Sequence, residues 1–179
     1  ASVAVRNYWY IHHFGLAYKR IGVILFLLAA LAGLWLVMRK VTLLRSSFYL
    51  TRWNLLAAYV IVVCASLFDW DTLIARYNMA HKQDIFVELN FLLFLDEKAL
   101  PYIAMSDAEL AALHAHNEAV LGTDRFNRFP YLHPNTYREV LQQNTGRFLA
   151  TYPERSWREW NWADANAFDV LTANGDVLK

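Results

Sequence analysis

The stretch Phe68-Asp69-Trp70-Asp71-Thr72-Leu73-Ile74-Ala75-Arg76-Tyr77-Asn78 divides the chain into two chemically different halves. Residues 1–68 contain seven Lys/Arg and no Asp or Glu, whereas all sixteen acids lie in residues 69–179 beside ten Lys/Arg. A water-soluble domain scatters its acids along the chain. Apolar helices joined by basic loops do not, because a charge inside a bilayer is costly and Lys/Arg collect in the cytoplasmic loops. Composition agrees: 57% of the residues are hydrophobic and 18% charged, which is more apolar and less charged than an average soluble domain. The stretch therefore reads as the place where a membrane helix hands over to a water-facing domain.

Upstream of it, Ile21 to Met38 is free of charge and bounded by Lys19-Arg20 and Arg39-Lys40. As a helix it is about 27 Å long, close to the hydrocarbon thickness of a bilayer. Its apolar residues occur all round rather than on one stripe, which argues against a buried core helix. Ala29 and Gly33 have the spacing that lets helices approach closely. A second span runs from Trp53 to Phe68, about 24 Å as a helix, with Trp53 and Trp70 as interfacial anchors. The link 39–52 carries Arg39, Lys40, Arg45 and Arg52, and its charge places it in the cytoplasm. The N-terminus and residues 69–179 then face outside. Tyr8-Trp9-Tyr10 has the aromatic character of the headgroup region. The lone cysteine, Cys64, sits in an apolar run and reads as a packing residue.

Downstream, the chain reads as helical. Asp69 or Asp71 can cap a helix reaching about Ala80. Asp84-x-x-Glu88 has capping-box spacing ahead of the apolar run Phe86–Leu95, which predicts a core helix. A short helix is expected from about Asp96 to Met105. Ser106-x-x-Glu109 and Gly122 bracket a helix over about 107–121. A loop is expected over 123–134, a helix from Thr136 to about Ala150 with Gly146 as a weak point, and a last helix from Ser156-x-x-Glu159 to Gly175. Trp157, Trp160 and Trp162 lie near its start. The expected fold is all-α: a membrane region, residues 1–68, with spans about 21–38 and 53–68, and a small helical extramembrane domain, residues 69–179.

Chemistry-bearing patterns are sparse. The chain contains no Gly-rich phosphate loop and no nucleophile elbow. His114 and His116, two apart on a helix, point to different faces, so no metal site is expected. His114 and Glu118 share a face, with His81 and His133 as the other histidines that could join them. Haem would need ligands in the spans, which lack His, and no cofactor is expected. An acidic soluble half disfavours nucleic acid. The candidate binding residues are Asp69, Asp71, Arg76 and Asn78, at the base of the soluble domain, although capping and ion pairing explain them better. No catalytic residue is assigned.

Asp71 to Asn78, followed by Asp84 and by Leu95-Asp96-Glu97-Lys98-Ala99-Leu100-Pro101, resembles the C-terminal part of a bacterial polytopic membrane family, domain of unknown function 4173, and its relative 4153. Phe14 to Arg20 and Ser156 to Asn161 extend the likeness. The resemblance implies further spans upstream and a bacterial inner-membrane setting, and it supplies no reaction. The expected function is a non-catalytic accessory or scaffold subunit that contacts membrane lipid and other membrane-protein subunits. The rivals are a ligand-sensing or transport component binding at the membrane boundary, and a membrane enzyme using His or Asp.

Overall fold

Glycine at position 15 ends the first helix. Helix α1 (Ser2–Phe14) stops where Gly15 takes φ +70°, the left-handed conformation that helix C-termini favour. The computed structural model describes residues 2–122, 126 and 133–173. After α1 come α2 (Tyr18–Thr42), α3 (Ser47–Ser66), α4 (Trp70–Ala80) and α5 (Leu89–Leu93). They are followed by a 3-10 turn (Glu97–Ala99), α6 (Leu100–Ile103), α7 (Asp107–Leu121), α8 (Pro134–Thr151), a second 3-10 turn (Tyr152–Glu154) and α9 (Trp162–Ala173). The described residues contain no strand. The fold is all-α, with two candidate membrane-spanning helices followed by helical segments. The chain divides into two packed units, one of residues 1–11 and 16–69, the other of residues 12–15 and 70–179.

In the first unit, α2 and α3 pack as a helical hairpin. Both are long and apolar enough to cross a membrane. The first span extends beyond the expected 21–38 at both ends, and the second begins at Ser47 rather than Trp53. The earlier start has a local cause. Ser46 has extended backbone and its hydroxyl accepts from the Tyr49 amide at 3.3 Å, a helix N-cap. The turn between the helices passes through Leu44 at φ +47°, and Lys40 Nζ donates to Ser47 Oγ across it at 3.1 Å. A Cβ built at Gly33 would lie 3.5 Å from Asn54 Oδ1 on α3, so Gly33 faces the hairpin partner. Ala29 is exposed instead. Asn7 of α1 donates to the Arg20 carbonyl at 3.2 Å.

The second unit owns the conventional core. Ile74 and Ala75 of α4, Leu89 and Leu92 of α5, Leu100 and Ile103 of α6, Leu110 and Leu113 of α7, Tyr137, Leu141 and Phe148 of α8, and Ala167 and Leu171 of α9 are all buried. Tyr137 also donates its hydroxyl to the Ile103 carbonyl at 2.9 Å, tying α8 to α6. Helix α7 has the boundaries its sequence predicts. Ser106 and Glu109 form a complete capping box, and Gly122 follows at φ +76°.

Two predicted helix starts differ in the structure. The run Phe86–Leu95 is helical only from Leu89, because the backbone groups ahead of it are taken elsewhere. The Phe86 amide donates to the His13 carbonyl at 2.8 Å, and Val87 pairs with the side chain of Asn117. Ser156 starts a turn rather than a helix. The Glu159 amide donates to the Ser156 carbonyl at 3.0 Å, and the last helix begins at Trp162, where Asn161 Oδ1 accepts from the Asp164 amide at 2.8 Å. Most of the expected loop 123–134 and the expected stop at Gly175 lie outside the described residues.

Candidate functional site

The predicted site residues lie on or beside α4. Asp69 belongs to the first unit and Asp71 to the second. Asp71 occupies the first turn of α4, where a carboxylate favours the positive end of the helix dipole. Its Oδ2 lies 3.3 Å from Lys98 Nζ and its Oδ1 accepts from the Asp96 amide at 3.4 Å. Lys98 also reaches Asp96 Oδ2 at 3.5 Å. Asp96 in turn caps the 3-10 turn by accepting from the Glu97 amide at 2.8 Å. Asp71 thus ties the start of α4 to the 96–98 turn.

Asn78 shares that face of α4, since residues seven apart lie nearly in line. It is buried, and its Oδ1 stands where a Cβ on residue 15 would come within 2.4 Å. Arg76 is rotated about 140° from Asp71 around the helix axis. It is exposed, with its guanidinium 5.6 Å from the centre of the Tyr102 ring, a cation–π contact. The structure therefore brings Asp71 together with Lys98 and Asp96, and Asn78 together with Gly15. It places Arg76 on another side of the helix.

The histidines have separate surroundings. His81 stacks on Tyr77, with ring centres 4.4 Å apart. His114 meets Phe126 edge-on, and its ring centre lies 6.1 Å from that of His133. His133 caps α8, its Nδ1 accepting from the Asn135 amide at 3.4 Å. His116 lines a cleft of about 180 Å³ with Lys82, Gln83, Glu109, Ala112 and Leu113. Among the described residues no three His, Cys, Asp or Glu side chains are grouped to hold a metal ion.

Glu109 accepts from Lys82 Nζ at 2.6 Å. That hydrogen bond, then those from the Ser106 backbone and hydroxyl, lower its pKa to about 2. It is a permanent anion near neutral pH, and general acid–base work needs a group that titrates there.

Three further clusters lie apart from the predicted site residues. Asn117, fully buried on α7, donates from Nδ2 to the Val87 carbonyl at 2.8 Å and accepts at Oδ1 from the Val87 amide at 3.1 Å. Its signal was present: residues 110, 113 and 117 fall on one helical stripe, and a polar residue on an apolar stripe needs a partner. Arg155 bridges Glu97 and Asp164, the latter at 2.9 Å from Nη1, and its guanidinium lies 5.5 Å from the Phe148 ring centre. Burial pushes the Arg155 pKa down, but the Glu97 hydrogen bond and the charges of Glu97, Asp164 and Asp96 outweigh it, so the net shift is upward. The third cluster, Trp157, Trp160 and Trp162, is exposed to solvent. The tryptophans are evident in the sequence; their exposure and the Arg155 bridge are revealed only by the tertiary structure.

The family described as Domain of unknown function (DUF4153) matches residues 1–106, more than half of the chain, and the chain belongs to it. No curated protein and no solved structure matches.

Proposed function

We propose that this DUF4153 member is a bacterial inner-membrane protein acting as a non-catalytic accessory or scaffold subunit of a membrane complex, with α2 and α3 as its spans. The likeness of its C-terminal residues to domain of unknown function 4173 belongs to the same proposal. The observation that carries it is the surface of the hairpin. Helix α3 has no buried residue, and Leu55, Tyr59 and Val62 are each about two-thirds exposed. On α2, Phe26, Leu31, Leu34 and Met38 are similarly bare. An apolar surface of this extent calls for lipid or protein against it. The basic link supports a cytoplasmic turn between the helices and a periplasmic second unit.

The test is gentle detergent purification from the native membrane with mass spectrometry of the co-eluting proteins. A stoichiometric set of partners is expected. A single clean species would overturn the scaffold reading and favour ligand sensing or transport, with Asp69, Asp71, Arg76 and Asn78 as the first residues to test. Topology is read separately in a Cys64→Ser background. A membrane-impermeant maleimide should label Ala115→Cys in spheroplasts and Leu43→Cys only after lysis; the reverse pattern would invert the assignment.

A further inference from the structure

The segment Pro153-Glu154-Arg155-Ser156-Trp157-Arg158-Glu159-Trp160-Asn161-Trp162 holds three of the seven tryptophans in the chain. Burial is the usual fate of a large aromatic ring, yet Trp157, Trp160 and Trp162 are 82%, 59% and 77% exposed. The tip they occupy is anchored at both ends. Arg155 is clamped between Glu97 and Asp164 at its start, and Asn161 caps α9 at its end. Tyr152, Pro153, Trp157 and Trp160, with Arg155 and Ser156, wall a cleft of about 420 Å³. Such an anchored aromatic tip meets a surface with little ordering cost.

The chemistry of the tip selects the surface. Tryptophan is enriched where a bilayer meets water, because its ring is apolar and its N–H needs a polar partner. Arg158 is exposed, with its guanidinium 5.5 Å from the Trp157 ring centre, so a phosphate-binding cation and an interfacial ring are presented together. Glu154 and Glu159 balance Arg155 and Arg158, so the segment carries no net charge. That complements a zwitterionic headgroup layer, with phosphate facing Arg158 and ammonium facing the tryptophan rings and Glu159, better than a polyanionic or polycationic partner. From these features we infer that residues 152–162 form an interfacial anchor that docks the second unit on a zwitterionic phospholipid surface. The inference rests on the reading of α2 and α3 as spans, since a tether to the same bilayer raises the effective concentration of the tip at that surface.

The experiment uses the full chain in phosphatidylcholine vesicles. Trp9, Trp35, Trp53 and Trp70 are changed to Phe, leaving Trp157, Trp160 and Trp162 as the emitters. Phosphatidylcholine brominated near the carbonyl end of the acyl chain should quench them about twofold or more, as expected for rings at headgroup depth. Acrylamide should quench them several-fold less than it quenches free N-acetyltryptophanamide. Strong acrylamide quenching without bromine quenching puts the tip in water and overturns the inference. Quenching by neither agent puts it against protein, a second copy included, and also overturns it. Should the fourfold variant not fold, the difference between the natural chain and Trp157→Phe/Trp160→Phe/Trp162→Phe gives the same readout. Replacing part of the lipid with phosphatidylglycerol should leave the quenching unchanged; a strong increase would refute the zwitterionic assignment. A chain retaining only Trp35 tests the spans separately. If bromolipid quenches Trp35 but not the tip, the anchor alone fails; if it does not quench Trp35, the membrane reading fails and takes the anchor with it.

Discussion

Asn117→Ala tests how the second unit holds its extended segment 86–88. Asn117 is fully buried and satisfies both backbone groups of Val87, with bonds of 3.1 and 2.8 Å. Truncation leaves a buried N–H and a buried C=O without that partner. Each such orphan costs about 1–3 kcal/mol, so the pair costs about 2–6 kcal/mol. The lower bound of about 2 kcal/mol corresponds to roughly a 30-fold change in an opening equilibrium. Hydrogen–deuterium exchange by mass spectrometry on a peptide covering Val87 reads that equilibrium at the affected amide. Exchange there should accelerate about 30-fold or more, while Ala115→Ser on the exposed side of α7 leaves it unchanged. Asn117→Leu fills the space but makes neither bond, so it separates orphaned hydrogen bonds from an empty cavity, and it should accelerate exchange nearly as much. Parent-like exchange in both variants would refute the reasoning, because Val87 would then be held by something other than this side chain.

Three other perturbations follow from the same unit. Gly15→Ala combines a positive φ with a Cβ placed 2.4 Å from Asn78 Oδ1 and 2.7 Å from Ile85 Cδ1. The backbone part alone costs about 1–2 kcal/mol, and the melting temperature in detergent should fall by about 5 °C or more; adding Asn78→Ala should recover part of the loss, and no recovery would exclude the clash with Asn78. Arg155→Met leaves Glu97 and Asp164 without their shared cation at side chains 25% and 10% exposed. Thermal unfolding followed by circular dichroism should show a loss of about 2–3 kcal/mol, somewhat below that for a fully buried pair, with Arg155→Lys restoring less than half because an ammonium cannot span both carboxylates. Glu109 has its pKa lowered from 4.5 to about 2, so its stabilising contribution is fully present above pH 4.5 and is lost as pH falls through about 2. The carboxylate is half exposed, which limits that contribution to about 1 kcal/mol. Melting temperature against pH should therefore be flatter in this window for Glu109→Gln than for the parent, and identical slopes would count against the pairing.

What was legible in the sequence was chemistry that acts over a few residues. Ser106 and Glu109 are three apart, and each satisfies the backbone of the other whatever else the chain does, so the start of α7 could be read directly. The spacing of Asp84 and Glu88 is the same, but Phe86 and Val87 give their hydrogen bonds to His13 and Asn117, and the helix waits until Leu89. Ser156 and Glu159 fail for a related reason: Asn161 supplies a competing cap five residues later. At the candidate site, Asp71 could be read as a helix-start acid, but its pairing with Lys98, 27 residues away, could not. The failures share one cause. A capping motif proposes a helix start, and competing hydrogen bonds, tertiary at Phe86 and Val87 and local at Asn161, decide whether the helix begins there.

The two units solve opposite problems with the same residue types. In the second, a polar side chain on an apolar stripe, Asn117, is accommodated because the extended backbone at Val87 offers both a donor and an acceptor. In the first, α2 and α3 have apolar residues on every side, and one helical partner covers only one side of each. Packing within the chain therefore cannot finish that surface. Among the 45 residues of the two helices none is an acid, so neither carries the acidic outer face of a helix turned toward water. Basic residues sit only at the helix ends and in the link, with Arg52 in the second turn of α3 as the innermost. A water-facing hairpin would have no reason to exclude acids so completely, whereas a hairpin oriented in a bilayer does.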